Sequence, residues 1–432
     1  MSGLRRRTRR EFLGAAAGAG IGYWVAPRPA WTAGKSANDR LNIAMIGTAN
    51  RAADNLNEVS SQNMVVLCDV DDAFLAKAKQ KFPAADAVND FRKAIERNDV
   101  DAVVVSTPDH THAAATLAAL KAGKHVYCEK PLTHTVHEAR LVAETARKMG
   151  LATQMGTQIH ALDNYRRVVE LIESGAVGLV REVHAWCGKS WGGGERPTET
   201  PPVPANLHWD LWLGPAPARP YHPKYVPFHW RGWWDFGGGT LADMGCHYLD
   251  VAFWALKLRR PTRVEAKGDA PPHPETAAVA LEVVYEFPER DNLPPVTLTW
   301  YDGGKRPKFF DDPAAPKWGD GVLFVGEKGS LITGYMSHKL LPEEKFRDFQ
   351  PPQPYIPRSI GHHNEWIQAC KDGSPTTCNF DYSGALTETV LLGLVSYRCQ
   401  SPLEWDAEGL TATNCPEADR FIRKEYRKGW EL

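Results

Sequence analysis

The chain has 432 residues, 43% hydrophobic and 24% charged, with a formal net charge of −1. Such values describe a globular protein long enough for about two to three domains. They exclude a binder of nucleic acid or acidic surfaces that works through bulk charge. The eight cysteines are scattered without a CxxC pair and read as buried thiols, and no His/Cys/Asp cluster has metal-ligand spacing along the chain, so no metal is expected.

Thr8-Arg9-Arg10-Glu11-Phe12-Leu13 is a twin-arginine pattern, and a Gly/Ala-rich apolar run follows it from Phe12 to Ala26. That run is shorter than the roughly 20 residues a membrane span needs, and basic-then-apolar order marks a targeting segment. Residues 1–33 are therefore read as a twin-arginine export signal, with the periplasm or cell envelope as destination and no stable membrane span.

Residues 34–157 read as a dinucleotide-binding domain. Leu41 opens a buried strand that runs into Gly47, Thr48, Ala49, Asn50 and Arg51, and a second apolar run ends near Asp69, 22 residues after Gly47. Strand, tight turn, helix, strand and acid at that distance form the Rossmann arrangement. Backbone amides at the helix start would hold a pyrophosphate, and Asp69 would take ribose hydroxyls. An acid there without an adjacent arginine favours NAD over NADP. The pattern departs from G-x-G-x-x-G at its second position, where Ala49 places a methyl group. Strands at Asp101–Ser106 and His125–Cys128, with a helix at Ala113–Lys121, continue a doubly wound parallel sheet. Ligands bind beyond the carboxyl ends of such strands, which adds Ser106, Thr107, Pro108, His112, Glu129 and Lys130 to the candidate cofactor contacts.

Residues 158–432 read as a substrate-binding and oligomerisation domain. Gln158 and His160, candidate substrate contacts, precede a helix at Asn164–Glu173, and strands are expected at Val180–Trp186, Arg263–Lys267, Ala277–Phe287, Val296–Tyr301 and Val322–Val325. Strands in succession predict a large, mainly antiparallel open sheet. Helices are expected at His362–Lys371 and Tyr382–Tyr397, and a charged helical tail at Pro416–Lys428. Between Pro197 and Pro227 stand nine prolines in 31 residues, and eight of the 15 tryptophans lie between Trp186 and Trp254. This is either a rigid loop pinned by aromatic packing or a wall against which sugar rings stack; Trp230, Trp233 and Trp234 lead into the next stretch and are candidate substrate contacts, without a choice among them.

The stretch Gly237–Asp250, GGGTLADMGCHYLD, opens a helix on which Asp243 and His247 are four residues apart and share one face. A carboxylate beside an imidazole can orient the ring and raise its pKa towards neutrality, as proton transfer requires.

Together with the IGTANRA loop, the STPDHTHA segment (Ser106–Ala113) and the CEKP motif (Cys128–Pro131), this stretch resembles the Gfo/Idh/MocA oxidoreductase family, from Leu41 to about Arg398. The family groups glucose–fructose oxidoreductase, inositol dehydrogenase and related enzymes. The resemblance implies a Rossmann domain followed by an α/β domain whose open sheet commonly forms a homo-oligomer interface. It also implies that Lys130, Asp243 and His247 surround the reacting hydroxyl. His247 is then the proton acceptor, Asp243 its partner or a substrate ligand, and Lys130 the polarising cation, with His247 and Lys130 able to exchange roles.

The implied activity is NAD(P)-dependent hydride transfer at a secondary hydroxyl of a sugar or cyclic polyol. Outside the cytoplasm no dependable NAD pool exists, so an exported enzyme would carry and recycle its cofactor. A redox-neutral NAD-dependent glycosidase and a non-catalytic carbohydrate-binding protein on the same scaffold are the alternatives.

Overall fold

The computed structural model describes residues 39–432, so the export segment lies outside the described residues. Six short strands, β1 (Asn42–Ile46), β2 (Asn63–Cys68), β3 (Asp86–Val88), β4 (Ala102–Val105), β5 (His125–Cys128) and β6 (Thr153–Met155), form one parallel sheet in the order β3-β2-β1-β4-β5-β6. The central strands carry unbroken apolar runs because helices cover both faces. Ile43, Ala44, Val103, Val104 and Val105 are fully buried. Strand order reverses between β1 and β4, and this leaves a crevice at their carboxyl ends. The helix at Val136–Met149 starts on a Thr135/Glu138 capping box and stops at Gly150 in the left-handed region.

The second sheet has nine strands: β7 (Val180–Trp186), β8 (Arg263–Gly268), β9 (Leu281–Phe287), β10 (Val296–Tyr301), β11 (Gly321–Gly326), β12 (Gly329–Thr333), β13 (His338–Leu341), β14 (Leu403–Asp406) and β15 (Thr411–Ala412). Every neighbouring pair is antiparallel except β7 and β10, so the sheet is mixed with a large antiparallel majority. The helices Gly239–Ala255 and Phe380–Cys399 share one apolar core with it, through Leu241, Leu249, Val283, Leu298 and Val390.

Three expectations change. Residues 277–280 are not strand, and β9 begins at Leu281. The tail is helical only over Asp419–Ile422, after a tight turn at Pro416–Ala418. Beyond it, long-range partners hold the side chains instead: Lys424 and Tyr426 bind Glu138, and Arg427 binds Asp210 and the Gly214 carbonyl. Finally, the helix His362–Asp372 returns to the first sheet, where Trp366 and Ile367 pack with Leu41, Ile43, Val104 and Tyr127. A single chain cut near residue 157 therefore does not separate the two cores.

Candidate active site and cofactor crevice

A cavity of about 630 Å³ opens at the carboxyl ends of β1, β2 and β4, within the ~300–1,000 Å³ typical of ligand sites. The loop Gly47–Arg51, Asp69 and Ser106–Pro108 line it. Gly47 has φ +88, and a Cβ there would stand 2.4 Å from the Ser106 carbonyl oxygen, so only glycine fits. The helix Arg51–Glu58 begins at Asn50 (φ 54) without a side-chain cap; Ala52 N and Ala53 N donate to the Ala49 and Asn50 carbonyls, and the positive end of the helix, with Asn50 and Arg51, borders the cavity where an anion would sit. Asp69 Oδ2 accepts hydrogen bonds from Thr48 N and Oγ1, both at 2.8 Å, and Oδ1 accepts from Asp71 N at 3.0 Å. Glycine turn, helix start and strand-end acid together fit a dinucleotide. Ala49 also lines the cavity.

Two expected cofactor contacts serve instead as struts. Both ring nitrogens of His112 bond main-chain oxygens, of Pro131 (2.7 Å) and Thr107 (2.8 Å), tying the loops after β4 and β5 together. The buried Glu129 Oε1 accepts from Arg51 Nε (3.1 Å), Asn55 Nδ2 (2.9 Å) and Gln158 Nε2 (2.9 Å). Burial opposes its charge, but Arg51 and these hydrogen bonds win and lower its pKa. Gln158, proposed for substrate, thus braces Glu129.

At the inner end of the crevice stands an ion cluster. Lys130, preceding a cis peptide to Pro131, donates from Nζ to Asp243 Oδ1 (2.6 Å) and to the Asp243 carbonyl (2.8 Å). Asp243 also accepts from Trp191 Nε1 (2.7 Å, on Oδ2) and from Arg231 Nε (3.2 Å, on Oδ1), and Arg231 lines the crevice. Burial works against both charges of the pair. Their mutual attraction prevails, raising the Lys130 pKa and holding Asp243 well below the usual carboxylate range.

The expected pairing of Asp243 with His247 does not form, because Lys130, Arg231 and Trp191 take the carboxylate. His247 lies one turn further along the helix with its Nδ1 buried and unpartnered among the described residues. Burial and the Lys130 charge pull its pKa down to about 4, the reverse of the elevation expected from a carboxylate neighbour. The imidazole is therefore uncharged at neutral pH. Asp109, at the start of the helix after β4, joins the same field. Burial and Asp243 push its pKa up to about 7 against Lys130 and Arg231. Asp109, Arg231 and Trp191 were not singled out from sequence. Asp109's place directly after a strand-ending Thr-Pro was the signal available.

The tryptophans divide differently from the expectation of a sugar wall. Trp230 lines the crevice under Arg231, whose Cζ is 4.3 Å from its ring centroid. Trp233 is buried in an aromatic cluster with Trp212, Tyr225 and Phe236, and its Nε1 donates to the Lys224 carbonyl. Trp234 is buried with its Nε1 on the His273 carbonyl. The proline-rich insert instead roofs the cofactor crevice through Pro204, Leu207, Tyr221, Val226, Pro227 and Phe228. It is fastened to the loop after β2 by Asp72 N to Asn206 O (2.8 Å), His208 N to Val70 O (2.9 Å) and Asn206 Nδ2 to Asp71 Oδ1 (2.8 Å).

His160 is also away from the crevice. It is 2% exposed, stacks on Trp254 with centroids 3.9 Å apart, and donates from Nδ1 to both oxygens of Asp250 at 3.0 Å. Cys378 completes a trio whose donor atoms lie within 4.8 Å of one another. Folding thus assembles a His/Asp/Cys group that linear spacing did not show. Its positive charge here is the His160 proton: burial opposes it, but Asp250 raises the pKa to about 10. All eight cysteines are free thiols.

The fold and crevice define a two-domain protein of the dinucleotide-binding α/β class. Residues 41–157 match the profile described as "Oxidoreductase family, NAD-binding Rossmann fold" and residues 164–293 the profile "Oxidoreductase family, C-terminal alpha/beta domain". Together they cover more than half of the chain, which belongs to the Gfo/Idh/MocA family. The chain is 30% identical over 162 residues to 1,5-anhydro-D-fructose reductase of Ensifer adhaerens, covering 37% of this chain and 38% of that protein. It is 34% identical over 154 residues to inositol 2-dehydrogenase of Rhodococcus erythropolis, covering 34% and 44%. The matched stretches thus span less than half the length of these curated relatives. In fold, it resembles the WlbA dehydrogenase of Chromobacterium violaceum in complex with NADH and UDP-GlcNAcA, with TM-score 0.62, 16% identity and coverage of 87% and 99%. Aldose-aldose oxidoreductase of Caulobacter crescentus gives TM-score 0.57 and 18% identity, with coverage of 85% and 100%.

Proposed function

We propose that the protein is an NAD-dependent oxidoreductase acting on a secondary hydroxyl of a sugar or cyclic polyol. The observation that carries this reading is the Lys130–Asp243 pair at the inner end of a dinucleotide-shaped crevice, beside an uncharged His247. NAD, when bound, supplies the hydride acceptor or donor. Lys130 stays protonated and stabilises negative charge on the substrate oxygen. His247 accepts the hydroxyl proton, with Asp109 as the second available base. The activities of the matched relatives, a sugar reductase and a polyol dehydrogenase, support the same class. The acidic loop Asp69, Asp71 and Asp72 contains no arginine, which favours NAD over NADP.

The roof formed by the insert supports a cofactor held through many turnovers, as an exported enzyme would need. Export by the twin-arginine route to the periplasm or cell envelope belongs to this proposal and rests on Arg9, Arg10 and the apolar run after them. So does a homo-oligomer formed through the open sheet. Protein purified from an exporting host should release about one NAD or NADH per chain on denaturation, identified by absorbance and mass. Empty protein that also fails to bind added NAD would overturn the proposal. Empty protein that does bind it would remove cofactor retention and keep the dehydrogenase.

A further inference from the structure

A second cavity, of about 250 Å³, shares no lining residue with the cofactor crevice. It lies between the segment Trp234–Gly238, the helix Phe380–Cys399 and the tail around Phe421. One wall is apolar, formed by Leu391, Leu394 and Val395, and the other carries four cations, Arg398, Arg420, Arg423 and Lys424, against two carboxylates, Asp235 and Glu425. Arg423 pairs with Asp419 and Lys424 with Glu138. Arg398 and Arg420 have no ion pair or hydrogen bond among the described residues.

The arrangement of Arg398 decides what the cavity can take. Its guanidinium carbon sits 4.0 Å from the Phe421 ring centroid and 4.9 Å from that of Trp234. Neither ring offers the guanidinium a hydrogen-bond acceptor, so its N–H groups remain to bond a ligand. Arg420 packs 4.5 Å from the same Phe421 ring, placing a second like charge nearby. Burial and Arg420 both lower the Arg398 pKa, and Asp235 offsets them only in part, being itself paired to Arg219. A guanidinium cannot shed its proton at physiological pH, so Arg398 stays a largely buried cation at the cavity wall. The helix Gly239–Ala255 starts at this wall with Gly238 as an N-cap that has no side chain to offer, adding the positive end of its dipole.

We propose that this cavity binds a small organic oxyanion of monosaccharide size, its carboxylate or phosphate held by Arg398 and Arg420 and its body against the leucine wall. The volume equals roughly eight waters at liquid density, enough for one sugar ring with its acid group. A planar guanidinium edge matches both carboxylate and phosphate, so the two sources share one recognition chemistry.

Calorimetric titration of the NAD-saturated full chain, at constant ionic strength, tests this with three probes: glucuronate, glucose 6-phosphate and inorganic phosphate. One saturable site per chain is expected, with a Kd of about 0.1–1 mM for at least one sugar acid or sugar phosphate. Arg398→Gln and Arg420→Gln should each weaken it about tenfold or more. Arg420 is exposed, so its variant remains informative if Arg398→Gln does not fold. Binding of glucuronate alone identifies a carboxylate ligand, and binding of glucose 6-phosphate alone a phosphate ester. Saturation by inorganic phosphate only, no saturation by any probe, or binding indifferent to the arginine changes overturns the proposal.

Discussion

Lys130 Nζ is 2.6 Å from Asp243 Oδ1 and 2.8 Å from the Asp243 carbonyl, so one ammonium clamps both the side chain and the backbone of the helix Gly239–Ala255. The clamp joins the end of β5 to a helix 113 residues further along the chain. Within the pair, the proton stays on lysine because the aspartate beside it stabilises the ammonium more than burial penalises it. Lys130 is thus suited to stabilise an alkoxide and unsuited to act as the resting base.

Lys130→Met should lower kcat by about 10²–10³-fold, the usual effect of removing one preorganised donor to a developing oxyanion. Bound nucleotide should stay close to one per chain, because Lys130 does not line the nucleotide cavity. Steady-state rates on a panel of polyols and sugars, with nucleotide content measured on the same preparations, check this. A variant with unchanged kcat would remove Lys130 from the chemistry.

The pH profile separates the two candidate bases. Asp109, with its pKa pushed up to about 7, is protonated below neutrality and able to accept a proton above it. His247, pulled down to about 4, is uncharged across the whole neutral range. If the hydroxyl proton goes to Asp109, kcat/KM for oxidation rises through about pH 7, and Asp109→Asn abolishes that limb. If it goes to His247, the profile is flat there in both proteins. Stability gives a second readout. A carboxyl whose folded pKa exceeds its unfolded value of about 3.9 costs stability as pH rises between the two values. Asp109→Asn should therefore unfold no more easily than the parent at about pH 8.

The roof over the crevice should govern how fast nucleotide leaves. Asn206 holds the insert to the loop after β2 through its carbonyl and its side chain. Trp430 closes the same cavity from the tail, packed 5.8 Å from Phe91 and 4.5 Å from Arg92. Trp430→Ala with Asn206→Ala should speed NAD release about tenfold or more, equivalent to about 1.4 kcal/mol. Fluorescence chase of NADH against excess NAD measures the rate. An unchanged rate would mean that the insert packs over the nucleotide without retaining it.

How far these features could be read in advance depended on where each residue finds its partner. The strands β1, β4 and β5 were legible because burial on both faces leaves only apolar residues there. Lys130 and Gly47 were legible because strand ends and tight turns place them by local geometry alone. Asp243 was legible as a candidate site residue but not as Lys130's partner, since a four-residue helical spacing pointed to His247. Trp191 and Arg231 reach Asp243 from 52 and 12 residues away, and no local period links them. His112 looked like a cofactor contact for the same reason that makes it a strut: it lies between two loops. The tail followed its charge pattern towards helix until Glu138 and Asp210, far off in sequence, captured its side chains.

His160 and Asp250 give a stability prediction with a defined pH window. The two are fully buried, and Tyr382 also donates to Asp250 Oδ1 at 2.7 Å, so the carboxylate has one ring cation and one hydroxyl to hold its charge. Burial acts against the imidazolium, yet Asp250 raises its pKa to about 10, above the unfolded value of about 6.5. A histidine shifted in that direction stabilises fully below its unfolded pKa, and the contribution is lost as pH climbs towards the folded one. Urea unfolding should therefore show the midpoint falling between about pH 7 and pH 10. His160→Gln should lose about 3–5 kcal/mol at about pH 6, because it leaves a buried carboxylate without its cation. The same variant should lose less with rising pH than the parent. Asp250→Asn provides the reciprocal case, since it removes the charge that holds the proton and should return the His160 pKa below neutrality. A parent midpoint that stays level from about pH 6 to pH 10 would show that the pair is not an ion pair in solution.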